Sequence, residues 1–126
     1  MALTQTQKDI LVGLMLGDGN LEFDGYKSTR LQVKQAQLKK EYVLWLFDKF
    51  SELVRTPPQQ RLDTNQWYFA TRSTSEFEYY RQMFYQNKRK IVPSNIGELF
   101  LSPITLAVWF MDDGSLDYRL KYHYSF

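Results

Sequence analysis

Leu-Val-Gly-Leu-Met-Leu-Gly-Asp-Gly occupies positions 11–19, and Leu-Ala-Val-Trp-Phe-Met-Asp-Asp-Gly occupies positions 106–114. Each is an apolar helical stretch that runs into an acidic residue followed by glycine. A carboxylate at the end of a greasy helix is expensive to place near a core. Two of them, delivered by similar segments, point to a pair of helices packed side by side with Asp18 and Asp113 together at one end. Adjacent carboxylates repel unless something cationic lies between them. A divalent ion with oxygen ligands, Mg²⁺ or Mn²⁺, answers that problem. The first expectation is therefore a metal site at the seam of two pseudo-symmetric units.

The rest of the chain sets bounds on this reading. At 126 residues it holds one domain with a proper core, not two full ones. A net charge of +2 is no polycation, so basic residues must act by clustering. Without cysteine there is neither a disulfide framework nor a thiolate metal site, which fits a reducing compartment. The start, Met-Ala-Leu-Thr-Gln-Thr-Gln-Lys, lacks the pattern of a secretory signal, and no apolar run is long enough to span a bilayer. The expected protein is not secreted and has no membrane partner.

Around the first motif the periodicity changes in a regular order. Thr4 or Thr6 caps a helix that runs to about Gly17 on an apolar face of Ile10, Leu11, Leu14 and Met15. From Gly19 the period falls to two: Asn20, Glu22 and Asp24 alternate with Leu21 and Phe23, and Asp24-Gly25 signals a tight turn. Arg30, Gln32 and Lys34 then alternate with Leu31 and Val33, completing a β-hairpin. Leu38 to about Val54 reads as a helix on Tyr42, Trp45, Leu46, Phe50 and Leu53, ended by Thr56-Pro57-Pro58. A second hairpin turns at Asp63-Thr64-Asn65, with Gln66, Tyr68 and Arg72 opposite to Trp67 and Phe69. Ser73, Thr74 or Ser75 caps a third helix ending near Gln86. The basic run Lys88-Arg89-Lys90 leads through Pro93 to a short helical stretch near 95–100, and Pro103 opens the second motif helix. Ser115–Tyr118 and Leu120–Phe126 begin another hairpin. Trp45, Trp67 and Trp109 read as core residues, and His123 carries no argument.

The duplicated motif, with this order of elements, resembles the LAGLIDADG homing endonucleases, in the branch with Gly-Asp-Gly in the first motif and Trp-Phe-Met-Asp-Asp-Gly in the second. The resemblance implies an α+β fold: an αββαββα unit with an antiparallel β saddle, followed by the start of a second repeat. It assigns residues 1–87 to the first unit, 88–102 to a linker and 103–126 to an incomplete second unit. Single-chain members have two whole units, so on the order of 80–100 further residues are expected. The full-length form would be a pseudo-symmetric monomer. It would be intracellular, in a bacterial cytoplasm or an organelle, and encoded within an intron or similar mobile element.

The implied activity is site-specific, metal-dependent hydrolysis of double-stranded DNA at a long target. Asp18 and Asp113 would be the catalytic and metal-binding acids, and the backbone carbonyls of Gly17 and Asp112 would face the metals. The Asp112 side chain itself reads as structural or solvent-exposed. Lys90 matches a lysine that helps organise the attacking water in relatives. Small residues at the third motif position let the helices approach; Gly13 qualifies, whereas Val108 argues against the tightest contact. Base readout would come from Arg30, Gln32 and Lys34, then Asn20, Glu22, Gln59, Arg61, Gln66, Tyr68 and Arg72, since a two-stranded ribbon fits the major groove. Lys39, Lys40, Lys88 and Arg89 would touch phosphates. Relatives of the fold that act as intron RNA maturases or DNA-binding regulators supply an alternative, as does an inactive fragment.

Overall fold

The computed structural model describes residues 2–98 and 102–112. Asp113 and the hairpin expected over 115–126 lie outside the described residues. In chain order the elements are α1 (Gln5–Leu16), β1 (Asn20–Phe23), β2 (Thr29–Ala36), α2 (Lys40–Phe50), β3 (Gln59–Arg61), β4 (Gln66–Ala70), α3 (Ser75–Phe84), β5 (Tyr85–Gln86), β6 (Arg89–Lys90) and α4 (Pro103–Asp112). The αββαββα order is present, followed by a small hairpin and the second motif helix.

Of the two candidate caps, Thr4 starts α1. Its hydroxyl accepts from Gln7 N–H, while the Gln7 side chain returns to Thr4 N–H, a reciprocal capping box. Positions 10 to 15 of α1 are buried all round, not on a single face. A helix apolar on every side belongs inside the molecule. Here α1 packs against the sheet-and-helix core on one side and α4 on the other.

Strands β1 to β4 form one antiparallel sheet in the order β1-β2-β4-β3. In β2 the alternation is strict: Thr29, Leu31, Val33 and Gln35 are buried, while Arg30, Lys34 and Ala36 are exposed. The inner face rests on α2 and α3 through Leu21, Leu31, Val33, Phe69, Phe50 and Phe77. Helix α3 is tied to β2 where Glu78 accepts from the Thr29 hydroxyl at 2.5 Å. A bidentate hydrogen bond from Arg81 holds the Glu78 carboxyl down at about 2.

Several expected boundaries shift. Helix α2 is shorter than Leu38–Val54, because tighter 3₁₀ turns at Gln37–Lys39 and Ser51–Leu53 replace both its ends. Val43, not Trp45, joins Tyr42, Leu46 and Phe50 in its buried face. Trp45 is 38% exposed and stacks on Tyr42 at the rim, so it is not a core residue. Trp67 and Trp109 are half-buried. The third helix ends at Phe84 rather than near Gln86. Tyr85 and Gln86 instead pair with Lys90 and Arg89 across a two-residue turn. Asn87 and Lys88 both have positive φ, 53° and 66°, as a type I′ hairpin turn requires. Asn-Lys is a weaker signal for that turn than Asn-Gly, so the hairpin is hard to read locally.

The contact between α1 and α4 is tighter than the Val108 side chain suggests. A Cβ added to Gly13 would lie 2.6 Å from the Thr105 carbonyl oxygen and 2.9 Å from Val108 Cβ. One glycine suffices, because Val108 fills the space that Gly13 leaves and is itself buried. Thr105 adds a hydroxyl hydrogen bond to the Asp9 carbonyl at 2.7 Å. Gly13→Ala should therefore destabilise the fold by about 1–2 kcal/mol, since overpacking against a backbone carbonyl exceeds the helix-propensity gain. Gly97→Ala, which meets nothing within 4 Å, should change stability by less than about 0.5 kcal/mol. Urea unfolding midpoints of the two variants check this.

Candidate nuclease site and DNA interface

The paired helices bring the end of α4 against the residues that follow α1. Asp112, fully buried, turns its carboxylate under the chain at Gly17 and Asp18. A Cβ on Gly17 would come within 2.6 Å of Asp112 Oδ2, so the motif glycine makes room for this carboxylate. Asp112 Oδ2 accepts the Asp18 backbone N–H. Oδ1 accepts from Gln35 Nε2 at 2.9 Å and lies 3.2 Å from the Tyr42 hydroxyl, which also approaches the Val108 carbonyl at 3.3 Å. Burial raises the Asp112 pKa, opposed by the bond from the Asp18 N–H. Burial likewise raises the Tyr42 pKa, with the Asp112 charge adding to it. The Asp112 side chain is buried and hydrogen-bonded, not solvent-exposed.

Asp18 itself is exposed. Two lysines cap the motif helices here, and the Asp18 charge acts on one of them, Lys90. Lys90 Nζ donates to the carbonyls of Gly17 at 2.6 Å and Gly19 at 2.5 Å. Lys39 Nζ donates to the Met111 carbonyl at 2.7 Å and approaches that of Asp112 at 3.4 Å. Cations belong at helix C-termini, where unpaired carbonyls concentrate negative charge. The Lys90 side chain is largely exposed, yet its ammonium is pressed against carbonyls. That desolvation lowers its pKa, while Asp112 and Asp18 push it back up.

Gln35 and Tyr42 were not singled out for the site by the sequence, and Lys39 was placed only among phosphate contacts. The available signal was a glutamine on the apolar side of β2, out of place beside Leu31 and Val33. Among the described residues no group of three acidic, histidine or cysteine side chains converges.

The candidate readers come together as expected. Register places Asn20 opposite Gln32, Glu22 opposite Arg30, Lys34 opposite Tyr68, Gln59 opposite Tyr68 and Arg61 opposite Gln66. All lie on the outer, polar face of the sheet. Glu22 orients Arg30 through Oε1 and Nε at 2.9 Å, and Arg61 pairs with Asp63 at 3.2 Å. Lys88 and Arg89 lie off this sheet, in the β5–β6 hairpin with Lys90. At the end of the sheet away from Asp18, a cavity of about 510 Å³ is lined by Arg30, Arg72, Gln59 and Tyr68, with Arg55 from the loop after α2. Arg55 was not foreseen, because it lies outside any alternating segment.

The profile of the LAGLIDADG DNA endonuclease family matches residues 8–123. The chain belongs to that family. DNA endonuclease I-ChuI of Chlamydomonas applanata is 32% identical over 140 residues, covering 96% of this chain and 63% of that protein. Cytochrome b mRNA maturase bI2 of Debaryomyces hansenii is also 32% identical, over 123 residues, covering 89% of this chain and 47% of the maturase. Among solved structures, the homing endonuclease I-WcaI bound to its DNA recognition sequence superposes with a TM-score of 0.69 at 25% identity. That match covers 90% of this chain and 53% of the other. The α+β homing-endonuclease fold follows from these likenesses, and the chain spans roughly half to two-thirds of the length of these relatives.

The two acids of this LAGLIDADG site should separate by experiment. Asp112→Ala strands buried donors and should cost about 3 kcal/mol of stability. Asp18→Asn, at an exposed position, should cost less than about 0.5 kcal/mol. Chemical denaturation of the two variants measures both.

Proposed function

We propose that this chain is part of a site-specific homing endonuclease that hydrolyses double-stranded DNA at a long recognition sequence. The observation that carries this reading is the juxtaposition of an exposed Asp18, at the joined ends of the two motif helices, with a sheet face bearing Asn20, Glu22, Arg30, Gln32 and Lys34. Bases would be read along that face while the carboxylate stands where a phosphodiester crosses the helix ends.

The donor set fits a hard divalent cation such as Mg²⁺ or Mn²⁺: it consists only of oxygen, from the Asp18 and Asp113 carboxylates and the Gly17 and Asp112 carbonyls. When bound, the ion supplies Lewis-acid polarisation of the phosphate and lowers the pKa of an attacking water. Asp112, Gln35 and Tyr42 hold the Asp18 backbone in place, so the residue bearing the carboxylate is anchored before DNA arrives. Lys90 keeps a cation beside that carboxylate and can orient water as it leaves its carbonyl partners.

Residues 1–87 make up the first unit, 88–102 the join and 103–126 the opening of a second, with the β5–β6 hairpin straddling the join. The complete protein is a pseudo-symmetric monomer, intracellular and carried by an intron-type mobile element. No described helix is long and apolar enough to cross a membrane. The likeness to a maturase supports intron RNA as the second reading.

Incubation of this chain, and of a version with a complete second unit, with randomised duplex DNA and Mg²⁺ tests the proposal by sequencing cut ends. Cleavage should be specific and should be lost in Asp18→Asn or Asp113→Asn. Binding without cleavage by either protein would favour the maturase or regulator reading. Arg55→Gln and Arg72→Gln should each weaken binding across all sequences. Each should also reduce the slope of log Kd against log salt by about 0.9 if its guanidinium meets a phosphate, as measured by titration at several salt concentrations.

A further inference from the structure

Asn20 opens β1 two residues after Asp18 and is exposed on the polar face opposite Gln32. A free asparagine carboxamide offers both an oxygen and an NH₂ group, the combination that pairs bidentately with adenine. Here the oxygen is engaged. The Tyr85 hydroxyl lies 3.0 Å from Asn20 Oδ1 and also 3.0 Å from the Leu21 backbone nitrogen. The Leu21 N–H can only donate, so it occupies a lone pair of the phenol. The phenolic proton is donated to the Asn20 carboxamide oxygen.

Tyr85 is half-buried and sits in the β5–β6 hairpin directly opposite Lys90, the residue that caps Gly17 and Gly19. One hairpin therefore holds both the end of α1 and the first side chain of the recognition face. Burial raises the pKa of the Tyr85 hydroxyl, so it keeps its proton at neutral pH. The same arrangement recurs on the other strand pair, where the Tyr68 hydroxyl donates to Gln59 Oε1 at 3.0 Å.

We propose that Tyr85 is a positioning residue for sequence recognition: it ties the Asn20 carboxamide oxygen to the β5–β6 hairpin and leaves the NH₂ free, so that Asn20 meets DNA through its NH₂ as a hydrogen-bond donor. A donor matches the major-groove acceptors of guanine and thymine. It conflicts with the N4 amino group of cytosine and forgoes the two-bond contact with adenine. This inference rests on the DNA-binding reading above and adds a base preference at one position.

The test is selection of bound sequences from a randomised duplex DNA library by the full chain, without divalent metal, comparing wild type with Asn20→Ala, Asn20→Asp and Tyr85→Phe. Wild type should select a site with one position that takes guanine or thymine and rejects cytosine. Asn20→Ala should flatten that position alone. Asn20→Asp keeps its bond from Tyr85 while presenting an acceptor outward, and should turn the preference to cytosine. Tyr85→Phe frees the carboxamide and should turn it to adenine, by roughly tenfold, the discrimination of one bidentate pair. Should Tyr85→Phe fail to fold, as judged by its thermal melt, Asn20→Asp alone decides. Unchanged base preference in Asn20→Asp, or in a folded Tyr85→Phe, would overturn the inference while leaving DNA binding intact. Failure of the wild type to select any sequence would overturn both.

Discussion

The backbone-to-backbone approach of α1 and α4 at Gly13 is the constraint on which the rest depends. With no side chain there, the Thr105 carbonyl and the Val108 side chain close on α1 at distances no Cβ would allow. Helices that near to each other must end near each other. The end of α4 is thereby delivered beneath Gly17, and the Asp112 carboxylate reaches the Asp18 N–H.

Two acids at the seam then divide their work by environment. Asp112 is buried, and its carboxylate is tolerable there because donors from α2, β2 and the end of α1 meet its oxygens. Asp18 is left in solvent, and among the described residues no hydrogen bond or ion pair engages its carboxylate oxygens. Lys39 and Lys90 each stabilise one of the two helix ends. The site thus combines a rigid, fully bonded interior with an accessible acid at its surface.

The sheet follows a similar division. Its inner face builds the core through Leu21, Leu31, Val33 and Phe69, while the outer face carries the amides and guanidinium groups. A nearly neutral chain can still present a basic surface in this way, because alternation sorts charge to one side of each strand. Glu22 and the two tyrosine hydroxyls then bond to Arg30, Gln59 and Asn20 on that face.

The sequence by itself determined the order of the main helices and of the four sheet strands, and which face of those strands is polar. The repeated motif located both central helices, period-two alternation identified every strand of the four-stranded sheet, and the polar positions of those strands do share one face. These features are legible because 3.6- and two-residue periods are written into neighbouring residues. Tertiary structure alone decided which faces meet. Thr4 rather than Thr6 caps α1, Trp45 lies at the rim, and Gln35, Lys39 and Tyr42 converge on Asp112 from 70 or more residues away. The β5–β6 hairpin, and with it the bond from Tyr85 to Asn20, was equally invisible. Its Asn-Lys turn has little local propensity and depends on what the hairpin reaches. The physical reason is common to all of these: a periodic pattern states that a side chain must be buried or exposed, but only packing between distant segments supplies its partner.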